Sequence, residues 1–197
     1  MTSSAAKLAA FLDLKSAFDV LDYGILTSRL RTKGCPAPIL NLITSLGFCG
    51  LRSRVYVNGE ASSWFPRTRG MLQGSPISPF LFNVYIDPLI ECLNRTLDGL
   101  PTALFYADDG VILTKTGTEL QSLLDETRDW MSQNAIQINV SKCGLVQRSN
   151  DDCELRIGQE RVPVVEAYSY LGFPVTAKGI DFLGFLERRL TKARSAA

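Results

Sequence analysis

The 197-residue sequence contains no histidine, so the commonest catalytic base and imidazole metal ligand is missing from any site it builds. Its five cysteines, Cys35, Cys49, Cys92, Cys143 and Cys153, are odd in number, widely spaced and free of any C-x-x-C pair. Neither a disulfide framework nor a zinc site follows from them. No apolar run approaches the roughly 18 to 20 residues that cross a bilayer, and the stretch from Met1 to Lys7 lacks the charged-then-apolar order of a secretory signal. The expectation is an intracellular protein, nuclear or cytoplasmic, with no membrane partner. Charge of one sign is scarce too: 21 Lys and Arg against 20 Asp and Glu leave a net +1. Any surface for nucleic acid must therefore be local.

What is present is a 46% hydrophobic composition, enough for a sizeable core in one domain or in one domain with an appendage. The basic residues are unevenly placed. Arg52, Arg54, Arg67 and Arg69 share a stretch relieved only by Glu60, and Arg188, Arg189, Lys192 and Arg194 cluster near the end, whereas Glu119 to Glu166 is acidic. Such runs usually form a solvated face, so charge alone decides nothing.

Leu8 to Leu14 is a short apolar run that predicts a buried strand carrying Asp13. Leu26 and Leu30, then Ile39, Leu40, Ile43 and Leu46, give two helical patterns separated by Gly34 and Pro36. Arg54 to Gly59 alternates and reaches Asn-Gly, with Ser62 to Phe65 as the returning strand. Ser78-Pro79 predicts a helix start with Phe80, Leu81, Val84 and Tyr85 on one face, kinked or restarted at Pro88. Ala103 to Tyr106 and Val111 to Thr114 flank Ala107-Asp-Asp-Gly110 as a hairpin. Thr116 and Glu119 then form a capping box before Leu120, Leu123, Leu124, Thr127 and Met131. Further strands follow across 136–175, and Ile180, Leu183, Leu186 and Leu190 mark an amphipathic helix with a basic opposite face. This order predicts an α+β fold, an antiparallel sheet with helices packed on one face.

Clustered carboxylates suit hard divalent cations, and two such ions roughly 3.5 to 4 Å apart stabilise both oxygens of an in-line phosphoryl transfer. Neighbouring strand residues face opposite ways, so Asp108 and Asp109 serve one site only if the chain bends there, as an Asp-Asp-Gly tip allows. Asp13 joins them if its strand lies beside the hairpin. An isolated Asp-Asp-Gly is more often an ordinary polar turn, and the surrounding motifs change that weighting.

Phe11-Leu-Asp-Leu-Lys-Ser-Ala-Phe-Asp19, Arg69-Gly-Met-Leu-Gln-Gly-Ser-Pro-Ile-Ser-Pro79, Phe105-Tyr-Ala-Asp-Asp109, Ile138-Asn-Val-Ser-Lys142 and Tyr170-Leu-Gly172 resemble the successive palm motifs A to E of reverse transcriptases, with wording closest to the non-LTR (LINE-type) retrotransposon enzymes. The resemblance runs from about residue 8 to residue 176. It implies an RNA-directed DNA polymerase palm over 1–177, with part of the fingers at about 20–66 and the start of a thumb-like helix at 178–197.

By that resemblance Asp13, Asp108 and Asp109 would ligate two Mg2+ or Mn2+ ions, and Lys142 would protonate the leaving pyrophosphate. Phe18 would gate the sugar of the incoming nucleotide. Leu14, Gln73, Gly74 and Arg69 would contact nucleotide or template, and Tyr170, Leu171 and Gly172 would form the primer grip. The implied partners are an RNA template, a DNA primer, deoxynucleoside triphosphates and the remaining fingers and thumb of a longer polyprotein. The expectation is a fragment with little activity alone. A non-catalytic palm remnant acting as a nucleic-acid or protein interaction module is the alternative. An RNA-recognition domain would need a Lys/Arg-Gly-Phe/Tyr strand, which is absent.

Overall fold

A computed structural model describes residues 6–47, 51–72, 74–97, 99–148 and 153–195. Its longer elements are β1 (Leu8–Lys15), α1 (Tyr23–Thr32), α2 (Ala37–Gly47), α3 (Ser78–Leu93), β2 (Ala103–Tyr106), β3 (Asp109–Thr114), α4 (Gly117–Gln133), β4 (Gly144–Gln147), β5 (Ala167–Tyr170), β6 (Phe173–Thr176) and α5 (Phe182–Ser195). The chain divides into two units, one of Met1–Lys15, Leu89–Trp130 and Ile138–Ala197, the other of Ser16–Pro88 and Met131–Gln137.

In the first unit β1 is the central strand, antiparallel to β3 along one edge and to β4 along the other, with β2 completing the hairpin beyond β3. Alternation along β1 explains its position. Leu8, Ala10, Leu12 and Leu14 point one way and are buried with their cross-strand neighbours Thr114, Ile112 and Leu145. Phe11 points the other way into a cluster with Val111 and Val146, against which Tyr168, Tyr170 and Val175 of the β5–β6 hairpin pack. A strand covered on both faces reads as a nearly continuous apolar run, which is what Leu8 to Leu14 is. Leu171 and Gly172, with φ of 50° and 83°, make the two-residue turn between β5 and β6. The α4 start follows the capping pattern, the Glu119 N–H donating to Thr116 Oγ1 at 3.3 Å, and Leu120, Leu123, Leu124, Thr127 and Met131 are all buried.

In the second unit Asp22 caps α1 by accepting from the Ile25 N–H at 2.9 Å, and Gly34 (φ 80°) ends the helix before α2 begins. The Asn58-Gly59 turn forms as expected, but the returning pair begins at Glu60, opposite Val57, rather than at Ser62. Phe65 pairs instead with Ser53 in a separate two-residue ladder. A two-residue turn leaves no loop, so pairing resumes at once.

Helix α3 also departs from expectation. It runs unbroken through Pro88, and Ser78 Oγ donates to the Leu72 carbonyl at 2.8 Å instead of capping an N–H. Phe80 is 56% exposed while Phe82 is fully buried, so the inner stripe is Leu81, Phe82, Tyr85 and Leu89. Those positions recur at three and four residues, and Phe80 lies one step off that stripe.

Candidate active site

The register of the first unit sets the acids. Asp13 of β1 and Asp109 of β3 are directly opposed Cα partners, two positions beyond the Phe11–Val111 pair and on the same face. The bend that serves Asp108 lies one residue earlier than the Asp-Gly dipeptide suggests. Tyr106 pairs with Asp109, so the turn is Ala107-Asp108, with Ala107 at φ 52°. Gly110 lies inside β3, where a Cβ would come 2.5 Å from the Phe105 ring opposite it. This glycine makes room for a ring across the hairpin rather than for the turn. Asp13, Asp108 and Asp109 are all half-buried. Burial, then the charges of Asp108 and Asp13, push the Asp109 carboxyl above its ordinary pKa.

Lys142 is exposed on a 3₁₀ turn, Val140–Lys142, that is held beside the acids. The Asn139 N–H donates to the Asp13 carbonyl at 2.8 Å, and the Lys142 carbonyl accepts from the Tyr168 hydroxyl at 3.1 Å. Cys143 lies buried at the end of this turn. Burial is the main reason its thiol is pushed up to about 11, with the negative charges of Asp13 and Glu160 adding to it and a backbone hydrogen bond from Asp13 opposing it.

The β5–β6 hairpin brings Tyr170 to the same place. Its ring lies 5.5 Å from Phe11, and its hydroxyl approaches the Asp109 carbonyl at 3.5 Å, the outer limit of a hydrogen bond. Burial and the Asp109 charge push the Tyr170 phenol above its ordinary pKa. Leu171 and Gly172 form the exposed turn, and a Cβ at Gly172 would meet nothing within 4 Å. Tyr168 is a neighbour that the motifs do not single out. It stacks on Phe11, and its hydroxyl holds the Lys142 turn. The sequence signal for it is the i, i+2 repeat Tyr168/Tyr170, which puts both rings on one face of a strand.

Leu14, although adjacent to Asp13, is only 4% exposed, so its side chain belongs to the core. Phe18, Arg69 and Gly74 belong to the second unit. Phe18 is half-buried, stacked on Phe82 at 4.8 Å between ring centroids. Its carbonyl accepts from the Met71 N–H at 2.7 Å, and Gly70 donates to Leu21 at 2.9 Å. A Cβ on Gly70 would sit 2.6 Å from the Asp19 carbonyl oxygen, so glycine lets these two segments touch. Arg69 is exposed, its carbonyl accepting from Tyr23 at 3.0 Å. Gly74 lies in an exposed turn at φ 84°. Gln73 lies outside the described residues.

Among the described residues no three acidic, thiol or imidazole side chains form a ready-made metal cluster. The donor set still suits a hard cation. Carboxylate oxygens are what magnesium and manganese take, and Asp13 faces Asp109 with Asp108 in the adjoining turn. Like charges this close disfavour one another's ionised form, which adds to burial in raising the Asp109 pKa.

Residues 2–186 match the family model described as reverse transcriptase (RNA-dependent DNA polymerase). Two Drosophila melanogaster proteins are similar. The retrovirus-related Pol polyprotein from type-2 retrotransposable element R2DM is 30% identical across 93% of this chain and 20% of its own length. The RNA-directed DNA polymerase from mobile element jockey is 29% identical across 90% of this chain and 20% of its own. The chain thus spans about a fifth of the length of these relatives. Among solved structures the apo telomerase of Candida tropicalis superposes with a TM-score of 0.67 at 12% identity, covering 90% of this chain and 32% of that one. At that identity the likeness is one of fold.

Proposed function

The chain belongs to the reverse transcriptase (RNA-dependent DNA polymerase) family, and from that premise we propose that its first unit carries out two-metal nucleotidyl transfer at Asp13, Asp108 and Asp109. The observation that carries the proposal is the register that opposes Asp13 to Asp109 and puts Asp108 in the adjoining turn. The three carboxylates would hold the magnesium or manganese ions. When bound, such ions stabilise the attacking and leaving oxygens of an in-line phosphoryl transfer. Lys142, exposed beside them, supplies an ammonium for the leaving pyrophosphate, and the Leu171-Gly172 turn presents backbone to a primer end. Phe18, Gly74, Arg69 and Gln73 contribute the nucleotide and template contacts. Residues 1–177 then form the palm with part of the fingers at 20–66, and 178–197 begin a thumb.

The proposal has a second part. The chain covers about 20% of its relatives' length, and positioning accounts for much of the catalysis of phosphoryl transfer, so the 197 residues alone extend a primer weakly. The test is incorporation of one labelled deoxynucleotide on an RNA template at stoichiometric protein, with magnesium and then manganese. Slow, template-directed incorporation that Asp108→Asn abolishes is the expected result. No incorporation with either ion overturns the catalytic reading in favour of a non-catalytic interaction module. Robust multi-nucleotide synthesis overturns the second part alone.

A further inference from the structure

The end of the sheet opposite the acids carries the reverse charge. Asp13 and Asp109 close one end of the β1–β3 ladder, and the Leu8–Thr114 and Leu8–Gln147 pairs close the other. Lys7, Lys115 and Arg148 follow directly from that far end, roughly 17 Å from Asp13 at strand rise. Backbone bonds hold them there: the Lys7 N–H donates to the Thr114 carbonyl at 2.9 Å, and the Arg148 N–H to the Lys7 carbonyl at 2.8 Å. Lys178 arrives from a fourth segment, so Lys7, Arg148 and Lys178 line one concavity of about 200 Å3. Lys7 also lines a neighbouring one of about 690 Å3 with Lys115, Thr116 and Gly117 at the start of α4.

Few carboxylates line this edge among the described residues. Among the described residues that line the two concavities the one carboxylate is Glu154, and Arg156 holds it at 2.5 Å. No described carboxylate pairs with Lys7, Arg148 or Lys178. The 17-residue α4 adds the positive end of its dipole beside Lys7 and Lys115. Lys7, Arg148 and Lys178, three cations from three segments of a chain whose net charge is only +1, thus converge on a concave surface that favours an anion. The spread across two adjoining hollows suits phosphate groups in series better than a carboxylate, which two cations would satisfy.

We propose that this edge binds phosphate groups, either those of a nucleic-acid strand or free phosphate, at a site separate from the acids. It does not depend on the polymerase reading, because a chain that never extends a primer could hold a strand here. The test uses the whole chain, with inorganic phosphate and a short single-stranded RNA as probes, and the exposed-site variant K7Q/R148Q/K178Q. If a strand is the ligand, the variant binds the RNA about tenfold or more weakly and its log affinity against log salt flattens by about two, at ~0.7 for each phosphate no longer neutralised. If free phosphate is the ligand, inorganic phosphate shifts the backbone amide resonances of Lys7, Arg148 and Lys178 in the native chain while RNA affinity is unchanged by the variant. Unchanged RNA affinity and slope, together with no amide shift at these residues, overturn the proposal. Failure here leaves the Asp108 result untouched.

Discussion

The rings of Phe11 and Tyr168 lie 4.5 Å apart between centroids and 8° from parallel, joining the strand that carries Asp13 to the hairpin that carries Tyr170. Phe11 is buried in the cluster that seats this hairpin, so removing its ring leaves both a cavity and an unsupported hairpin. Phe11→Ala should cost about 3 to 5 kcal/mol. Phe11→Leu, which keeps most of the volume, should cost under about 1.5 kcal/mol. Urea unfolding followed by circular dichroism measures both, and equal losses would mean that the ring stack rather than the filled volume seats the hairpin.

A second prediction separates backbone strain from crowding. Gly59 and Gly70 both have φ of 86°, but a Cβ at Gly59 meets nothing within 4 Å while one at Gly70 meets the Asp19 carbonyl oxygen at 2.6 Å. Gly59→Ala should therefore carry only the left-handed penalty of about 1 to 2 kcal/mol. Gly70→Ala should add an overpacking cost of roughly 1 to 3 kcal/mol. Melting temperatures of the two variants give the comparison, and a Gly70→Ala protein as stable as Gly59→Ala would show that residues 18–22 and 69–71 yield easily.

The contrast between these glycines shows which features can be read from the sequence. Local chemistry is legible: Asn58-Gly59 makes its turn, Thr116 and Glu119 start α4, and Leu8 to Leu14 form the central strand. The grouping of Asp13 with Asp109 is what the motif resemblance implies, whereas their direct opposition is a matter of strand register. Features decided across the sheet are not legible. Asp-Gly favours a turn and so points to Gly110, yet the Phe105 ring opposite it and the Tyr106–Asp109 pair move the turn to Ala107-Asp108. Spacing points to Phe80 as core, but Phe82 takes that place against Phe18. The cationic edge draws on residues 7, 115, 148 and 178, which no local pattern connects.

Alkaline stability should depend on Cys143 and Tyr168. Burial pushes the Cys143 thiol from 9.0 up to about 11 and the Tyr168 phenol from 10.0 up to about 12, with nearby negative charge adding to each. Each group holds its proton more tightly in the folded chain, so its contribution is intact below the unfolded pKa and is lost as pH rises through the folded one. Stability should fall between about pH 9 and 12. Cys143→Ala should flatten the lower part of that fall, and Tyr168→Phe the upper part. Denaturant titrations across the range test this, and a curve unchanged by either substitution would reject it. At neutral pH the same burial should leave Cys143 slow to react with a thiol reagent while the exposed Cys92 reacts readily.

The acids give a prediction that needs no catalysis. Carboxylates brought together by a register repel one another, and a cation that binds only the folded arrangement stabilises it by mass action, by about 2.7 kcal/mol at a concentration one hundredfold above its dissociation constant. Magnesium or manganese should raise the melting temperature of the chain, and the rise should disappear in Asp108→Ala and Asp13→Asn. Without metal, Asp13→Asn should melt at or above the temperature of the unsubstituted chain, because it removes one of the charges that act on Asp109. Two outcomes would count against convergence at these strands: a metal-induced shift retained in both variants, or an Asp13→Asn chain that melts lower and still responds to metal. The first would place the ion elsewhere. The second would make Asp13 a structural residue of β1, with its side chain outside the ligand set.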